Sequence, residues 1–432
     1  MRFLTKGSFV TTATADESTD TTDPGEGSAF AALRLRPYRI YLAGHTVAST
    51  GNWIQSIALD WLVLELAGSP SAVGIAMACQ FLPILLFGMH GGLIADRFPK
   101  RAVLLITQSA NAAVGATIAV LTLGGAARVE ILYLLALVAG VVHLFDNPAR
   151  QVFVNEVVPP ERARAAIALN AAAFQGSRLV GPAIAVGLIA TVGTGWAFAA
   201  TALAYLLPTA GLLLLRPADL HPAPEFDEET GRLRDALRHV AHRPRVAAAI
   251  VLVGVVGTFG LNFPIVLTAM AEEAFGGGAG LYGLFNIVLA VGSVIGALIA
   301  TAVRRSGTSL LLATAGGFGA AQAAAAYAPG LVVFLGLLVV TGATNLAFQA
   351  IANASVQAWV DPAQRGRVMG LYMLVFAGGT PVGAPIIGAL TTAWGARAGM
   401  AVCGIVPLAA CAGLVVLRRS RAAAAQSLAA AA

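Results

Sequence analysis

The sequence predicts an all-α membrane protein of twelve transmembrane helices, arranged as two pseudo-symmetric six-helix bundles. Three observations predict it. Of the 432 residues, 58% are apolar and only 11% charged, where a soluble chain carries about a quarter charged residues. The apolar residues gather into runs of about 20, the length that crosses a bilayer as a helix. The second half of the chain also repeats landmarks of the first.

Taken in order, residues 1–36 are rich in Thr, Ser, Gly and acids and read as a disordered cytoplasmic tail. An N-terminal bundle, 37–215, holds spans at 39–64, 72–95, 102–124, 131–154, 166–191 and 196–215. A cytoplasmic linker, 216–245, follows. It carries Pro217, Pro222 and Pro224, the acids Glu225, Asp227, Glu228 and Glu229, then Arg232, Arg234, Arg238, Arg243 and Arg245. One amphipathic helix is expected in it near 230–242. A C-terminal bundle, 246–417, holds spans at 246–271, 280–303, 308–328, 331–357, 367–392 and 397–417, and an Ala-rich cytoplasmic tail, 418–432, closes the chain.

The net charge of +6 suggests nucleic acid only until it is placed. On this topology 24 of the 27 Lys and Arg lie on the cytoplasmic side, Arg128 and Arg397 lie outside, and Arg178 falls within a span. That asymmetry is the positive-inside rule with both termini cytoplasmic. No basic stripe remains for nucleic acid. Cys79, Cys403 and Cys411 all lie in apolar spans without metal-ligand or redox spacing and read as packing residues. No nucleophile–base pair, metal set or phosphate loop is present at useful spacing, so neither an enzyme nor a cofactor is expected.

The repeat is specific. A shift of 203 residues places Pro159 on Pro362, Arg162 on Arg365, Arg164 on Arg367 and Pro182 on Pro385; a shift of 204 places Gly92 on Gly296, Lys100 on Arg304 and Arg101 on Arg305. An even number of helices per half gives both halves the same orientation, a parallel repeat that suits a substrate path between them.

Between spans two and three stands Gly92-Leu-Ile-Ala-Asp96-Arg97-Phe-Pro-Lys100-Arg101. It resembles the signature G-x-L-a-D-r-x-G-r-k of the major facilitator superfamily, with Pro99 where that signature has Gly. Gly176-Ser-Arg178-Leu-Val-Gly181-Pro182 in span five is similar to the Gly-Pro element of that superfamily's antiporters. The stretches Gly51 to Leu64, Asp146-Asn-Pro-Ala-Arg150-Gln and Arg365 to Tyr372 resemble the bacterial drug:proton antiporter branch that includes the enterobactin exporter. The resemblance implies a monomeric exporter of a drug, siderophore or secondary metabolite, driven by protons. It also implies a cytoplasmic gate at Gly92, Asp96, Arg97, Lys100 and Arg101, and a cavity lined from spans one, four, seven and ten. Asn52, Gln55, Asn262, Gln349 and Asn353 are then expected to line that cavity, with interhelical hydrogen bonding as the alternative for each. A facilitator or importer of a small polar metabolite, and a receptor or scaffold that transports nothing, are the rival readings.

Charges at membrane depth cost about 2.5–3.5 kcal/mol on insertion scales, so each invites a role. Arg178 lies near the middle of span five and needs an acceptor. Asp146, on the antiparallel span four, is the expected one, and Arg150 shares its helix face four residues on. An Asp146–Arg150–Arg178 cluster is therefore expected, as a structural latch, an anion-recognition group or a proton carrier. Asp60 differs, because its span has no cation in its core. A carboxylate desolvated without a cation favours its neutral form, the condition for reversible protonation. A proton moving down the potential supplies about 2.3 kcal/mol per 100 mV, so Asp60 is the expected coupling residue, with a hydrated vestibule acid as the bland reading. His143, one turn from Asp146, is the secondary candidate, whereas His45 and His90 read as core residues. Gly181, Pro182, Pro381 and Pro385 are expected hinges, since proline removes a backbone hydrogen bond.

Overall fold

The computed structural model describes residues 31–96, 98–216, 220–221, 233–302 and 307–431. Arg97, Arg304, Arg305 and most of the expected linker lie outside that description, and of Gly92 and Asp96 it gives only the helical backbone. The described residues hold helices and no strands.

The first half contains α1 (Arg36–Ala67), α2 (Pro70–Asp96), α3 (Lys100–Leu123), α4 (Val129–Val157), α5 (Pro160–Val192) and α6 (Thr194–Leu214). A short α7 (Leu233–Ala241) precedes the second half. There α8 (Pro244–Val255) and α9 (Phe263–Ala269) form the seventh segment, followed by α10 (Gly278–Ala302), α11 (Thr308–Ala326) and α12 (Leu331–Trp359). The eleventh segment is α13 (Pro362–Gly378) with α14 (Thr380–Trp394), and α15 (Ala396–Ala431) ends the chain. Eleven segments among the described residues are long and apolar enough to cross a membrane. The twelfth, α1, is more polar: it buries His45, Ser49, Gln55 and Asp60 against its neighbours.

Residues 31–34, inside the expected N-terminal tail, form a 3-10 turn whose Ala32 is buried beside Tyr38 and Phe153. Residues 418–431 continue α15 without a break, because Ala, Arg, Gln and Leu are good helix formers and no Gly or Pro interrupts them.

The halves repeat in packing as in sequence. In the first, α2 lies on α4, α3 on α6, and α1 on α5; in the second, α10 lies on α12, α11 on α15, and the seventh segment on the eleventh. Close backbone approach explains several of these pairs. A Cβ on Gly140 would come within 2.1 Å of the Gln80 carbonyl, and one on Gly342 within 2.2 Å of the Leu289 carbonyl. Between halves, α2 meets α14 and α5 meets α10. Large apolar side chains left exposed, among them Ile106, Val120, Leu214, Leu298 and Val332, form the surface offered to lipid.

The two ends of the bundle differ in chemistry. All six glycines of positive φ among the described residues (Gly68, Gly125, Gly193, Gly276, Gly278 and Gly395) make the turns at one end. Gly68, at φ 61°, donates its N–H to the Leu64 carbonyl and closes α1. Arg101, Arg162, Arg243, Arg245 and Arg365 gather at the other end. These are termed the glycine-turn end and the basic end.

Candidate functional site

Within the first half, Asp146 is 5% exposed and fully engaged. Its Oδ2 accepts from Arg150 Nη2 at 2.7 Å and Nε at 3.1 Å, and its Oδ1 accepts from Thr107 Oγ1 at 2.7 Å and Gln108 Nε2 at 3.0 Å. Arg150 Nη1 points to His45 Nδ1 at 3.2 Å; a guanidinium only donates, so Nδ1 is the acceptor there. Tyr41 stacks on His45 and donates its hydroxyl to the Arg150 carbonyl. This network ties α1, α3 and α4 together. Thr107 and Gln108 were overlooked in the sequence, although two adjacent polar residues in the middle of a span are a readable signal. His143 sits one turn away on α4, half-buried and without a side-chain hydrogen bond among the described residues.

Arg178 is not part of this cluster, which corrects the expected Asp146–Arg150–Arg178 triplet. Its guanidinium lies over the Trp53 ring, 5.5 Å from the centroid, and makes no ion pair or hydrogen bond among the described residues. The rotation of α5 differs from that expectation. Gly181 lets α5 press on α1 at Thr50 and Trp53, and Ser177 bonds to Thr46 and Thr50, so this face of α5 turns toward α1 rather than α4. Fourteen residues separate Arg178 from the end of α5, about 21 Å along the helix, close to the middle of the span.

Asp60 is 6% exposed and accepts one hydrogen bond, from Tyr282 Oη at 2.8 Å. Tyr282 belongs to α10 in the other half, and no Lys or Arg of the described residues lies in ion-pair reach of Asp60. The same end of the molecule carries further contacts between halves. Ser69 and Ser71 bond to Thr392, Gly74 abuts Ala384 and Gly388, and Gly283 abuts Val186. The halves therefore meet at the glycine-turn end.

The expected cavity residues divide. Asn52 and Gln55 line a small cavity inside the first half with Ser56, Leu59 and Gln80, not the space between halves. Asn52 accepts from Tyr205, and Gln55 Oε1 is buried without a partner. Asn262 is fully buried and lines nothing open, because the seventh segment breaks there. Two π-helical stretches, Val256–Gly260 and Met270–Ala274, flank α9, and the Asn262 amide donates to the carbonyls of Thr258 and Phe259. Gln322 adds a donor to the Gly260 carbonyl. Gln349 and Asn353 belong to a ladder on α12 in which Gln349 bonds to Asn345 and Gln357 to Asn353.

The expected hinges are unequal. Pro182 sits inside a continuous α5, and Gly181 is a packing position on Trp53. The eleventh segment does break, at Gly379, with Pro381 in the first turn of α14 and Pro385 further along it. Of the expected gate, Lys100 is buried at the start of α3, and Arg101 donates to the carbonyls of Leu212 and Leu213 at the end of α6, within its own half.

A model of the transmembrane secretion effector family matches residues 27–431. The chain belongs to that family. Transmembrane secretion effectors are major facilitator transporters, so this is a multi-span membrane protein that moves small molecules, and not an enzyme. Among curated relatives, the chain is 28% identical to the multidrug efflux pump Tap of Mycobacterium tuberculosis, over 88% of this chain and 93% of that one. It is 26% identical to the staphyloferrin A transporter of Staphylococcus aureus, over 58% of this chain and 63% of that one. The solved structure of a bacterial homologue of the lysosomal transporter Spinster, inward-facing and occupied, superposes with a TM-score of 0.69 at 14% identity, covering 88% of this chain and 96% of that one. That likeness concerns the fold.

Proposed function

We propose that this transmembrane secretion effector exports a drug, siderophore or secondary metabolite by alternating access, in exchange for protons. The observation that carries the reading is Asp60, a buried carboxylate whose only hydrogen bond among the described residues reaches across to Tyr282 of the other half. An ionised carboxylate held in so dry a site is costly, and protonation removes the cost. It also weakens the acceptor on which the Tyr282 bond depends. Proton occupancy and closure of the glycine-turn end are then one equilibrium, which is what exchange requires. The efflux and siderophore relatives support the cargo class.

The basic end faces the cytoplasm in this reading, since positive residues are retained there. Both chain termini lie on that side, the protein sits in the inner membrane, and it works as a monomer. The conformation with the halves joined at the glycine-turn end is then closed to the outside. The two rocking bodies are residues 37–215 and 246–417, and the Gly92 to Arg101 loop is the cytoplasmic gate.

The test is transport of two dyes of opposite charge, carboxyfluorescein and rhodamine 6G, by the purified protein in proteoliposomes with an imposed pH gradient. The wild type is expected to move at least one dye faster when protons run the opposite way, and Asp60→Asn to lose that acceleration. Dye flux in Asp60→Asn that still follows the gradient would refute coupling through Asp60.

A further inference from the structure

We infer that Arg178, with Trp53 and Phe174, forms a cargo site between the halves that accepts an organic anion carrying a flat apolar body. The inference rests on the export reading above and adds the cargo's charge.

The placement comes first. Phe174, Arg178, Pro182 and Val186 recur at four-residue spacing and so form one row along α5 that turns gradually from α1, where Phe174 meets Trp53, toward the second half. Val186 and Pro182 touch Gly283 of α10, where a Cβ would lie 1.6 Å from Val186 Cγ2 and 3.6 Å from the Pro182 carbonyl oxygen. The Pro182–Val186 end of that row looks at the second half, and Arg178 stands between it and the contact with α1. Arg178 is one turn, and Phe174 two turns, from this contact toward the basic end.

The chemistry follows. Cation–π contact with Trp53 holds the guanidinium over the ring and gives its five N–H donors no oxygen or nitrogen acceptor. None of them meets an acceptor among the described residues. Nor does either buried acid of the described residues pair with Arg178. Asp146 is saturated by Arg150, Thr107 and Gln108, and Asp60 lies beyond the Gly283 contact with Tyr282. In the second half, the described acids Glu272, Glu273 and Asp361 stand at the ends of their segments. A half-buried cation is thus left facing the space between halves with its hydrogen bonds unmade. Beside it, Phe174 is 42% exposed and tilts against Trp53 at 6.3 Å between centroids. A carboxylate on the guanidinium edge and a ring against Phe174 and Trp53 complete the arrangement.

Two xanthene dyes of similar body and opposite charge test it: carboxyfluorescein, an anion, and rhodamine 6G, a cation. Binding is read by dye anisotropy with the protein in vesicles of phosphatidylcholine only, so that no anionic lipid headgroup competes. We expect the wild type to bind carboxyfluorescein, and Arg178→Gln to lower the anion-to-cation affinity ratio by about tenfold or more, the scale of a lost charge-assisted hydrogen-bond pair. Arg178→Lys, which keeps the charge, should restore most of the ratio. Absence of carboxyfluorescein binding by the wild type overturns the site. So does an unchanged ratio in Arg178→Gln, or equal loss of both dyes that Arg178→Lys does not rescue. Efflux of the same dyes separates the two readings. Arg178-dependent binding without transport would sink export and keep the site. Rhodamine 6G export with a ratio indifferent to Arg178 would sink the site and keep export.

Discussion

The shift of 203 residues that superposes the two halves places Asp146 on Gln349 and Arg150 on Asn353. One half thus fills this face of its fourth segment with an ion pair, and the other fills the same face of its tenth with an amide ladder. The contrast extends to the neighbouring segments. Segments one and five of the first half are continuous helices carrying Asp60 and Arg178, whereas segments seven and eleven are broken at Asn262 and Gly379 and carry no charge at depth. The repeat preserves which helices touch, and it does not preserve what the touching faces contain. Charge sits in the half whose helices are unbroken, and freed backbone carbonyls sit in the half that is neutral. A rigid helix can hold a charge in one orientation against its partner. A broken helix supplies polar backbone groups without the desolvation cost of an ion.

The largest effect that tests this division is expected at Asp146. Asp146→Ala leaves Arg150 buried beside His45 without its counterion and should destabilise the protein by about 3–5 kcal/mol, read as thermal unfolding in detergent. Gln349→Ala, its counterpart, removes a neutral pair and should cost about 1 kcal/mol. Equal losses would erase the distinction between the halves.

Next come the glycines at the packed corners. A Cβ at Gly383 would fall 1.7 Å from the Thr258 carbonyl oxygen, next to the break in segment seven. At Gly181 the nearest atom is Trp53 Cβ, at 2.5 Å. Gly383→Ala should therefore cost more than Gly181→Ala, with overpacking penalties of about 1–3 kcal/mol setting the scale. The same unfolding measurement decides the order.

The smallest expected effect is a shift of population. Tyr282→Phe removes the donor that joins Asp60 to the second half, a loss of about 1.5 kcal/mol, the low end for a hydrogen bond to a carboxylate. The fraction open at the glycine-turn end should rise about tenfold. Spin labels at Arg128 and Tyr327, in a background without Cys79, Cys403 and Cys411, would report it as a longer distance. An unchanged distance distribution would remove Tyr282 from the gate.

Much of this was legible beforehand, and the limits have physical reasons. Twelve segments followed from run length, and the Asp146–Arg150 pair followed from helical spacing. The partner of Arg178 did not, because depth in a membrane is set by position along a helix while rotation is set by packing, here by Gly181 and Ser177 on α1. Asp60 and Tyr282 stand 222 residues apart, and their meeting depends on how two halves dock. Pro264 and Gly260 hinted at the break in segment seven. In its first π-helical stretch Gly257 packs on the Phe376 carbonyl, a contact that no local pattern encodes.

The turns at the glycine-turn end carry one more consequence. Gly193 alone joins α5 to α6, Gly395 alone joins α14 to α15, and only Gly68 and Ser69 join α1 to α2. A surface built this way offers almost no loop for an antibody to grip or a protease to enter, and no room for an inserted tag. Anything that recognises or modifies this transporter from that side must do so through helix ends, so handles for detection and purification belong at the opposite face.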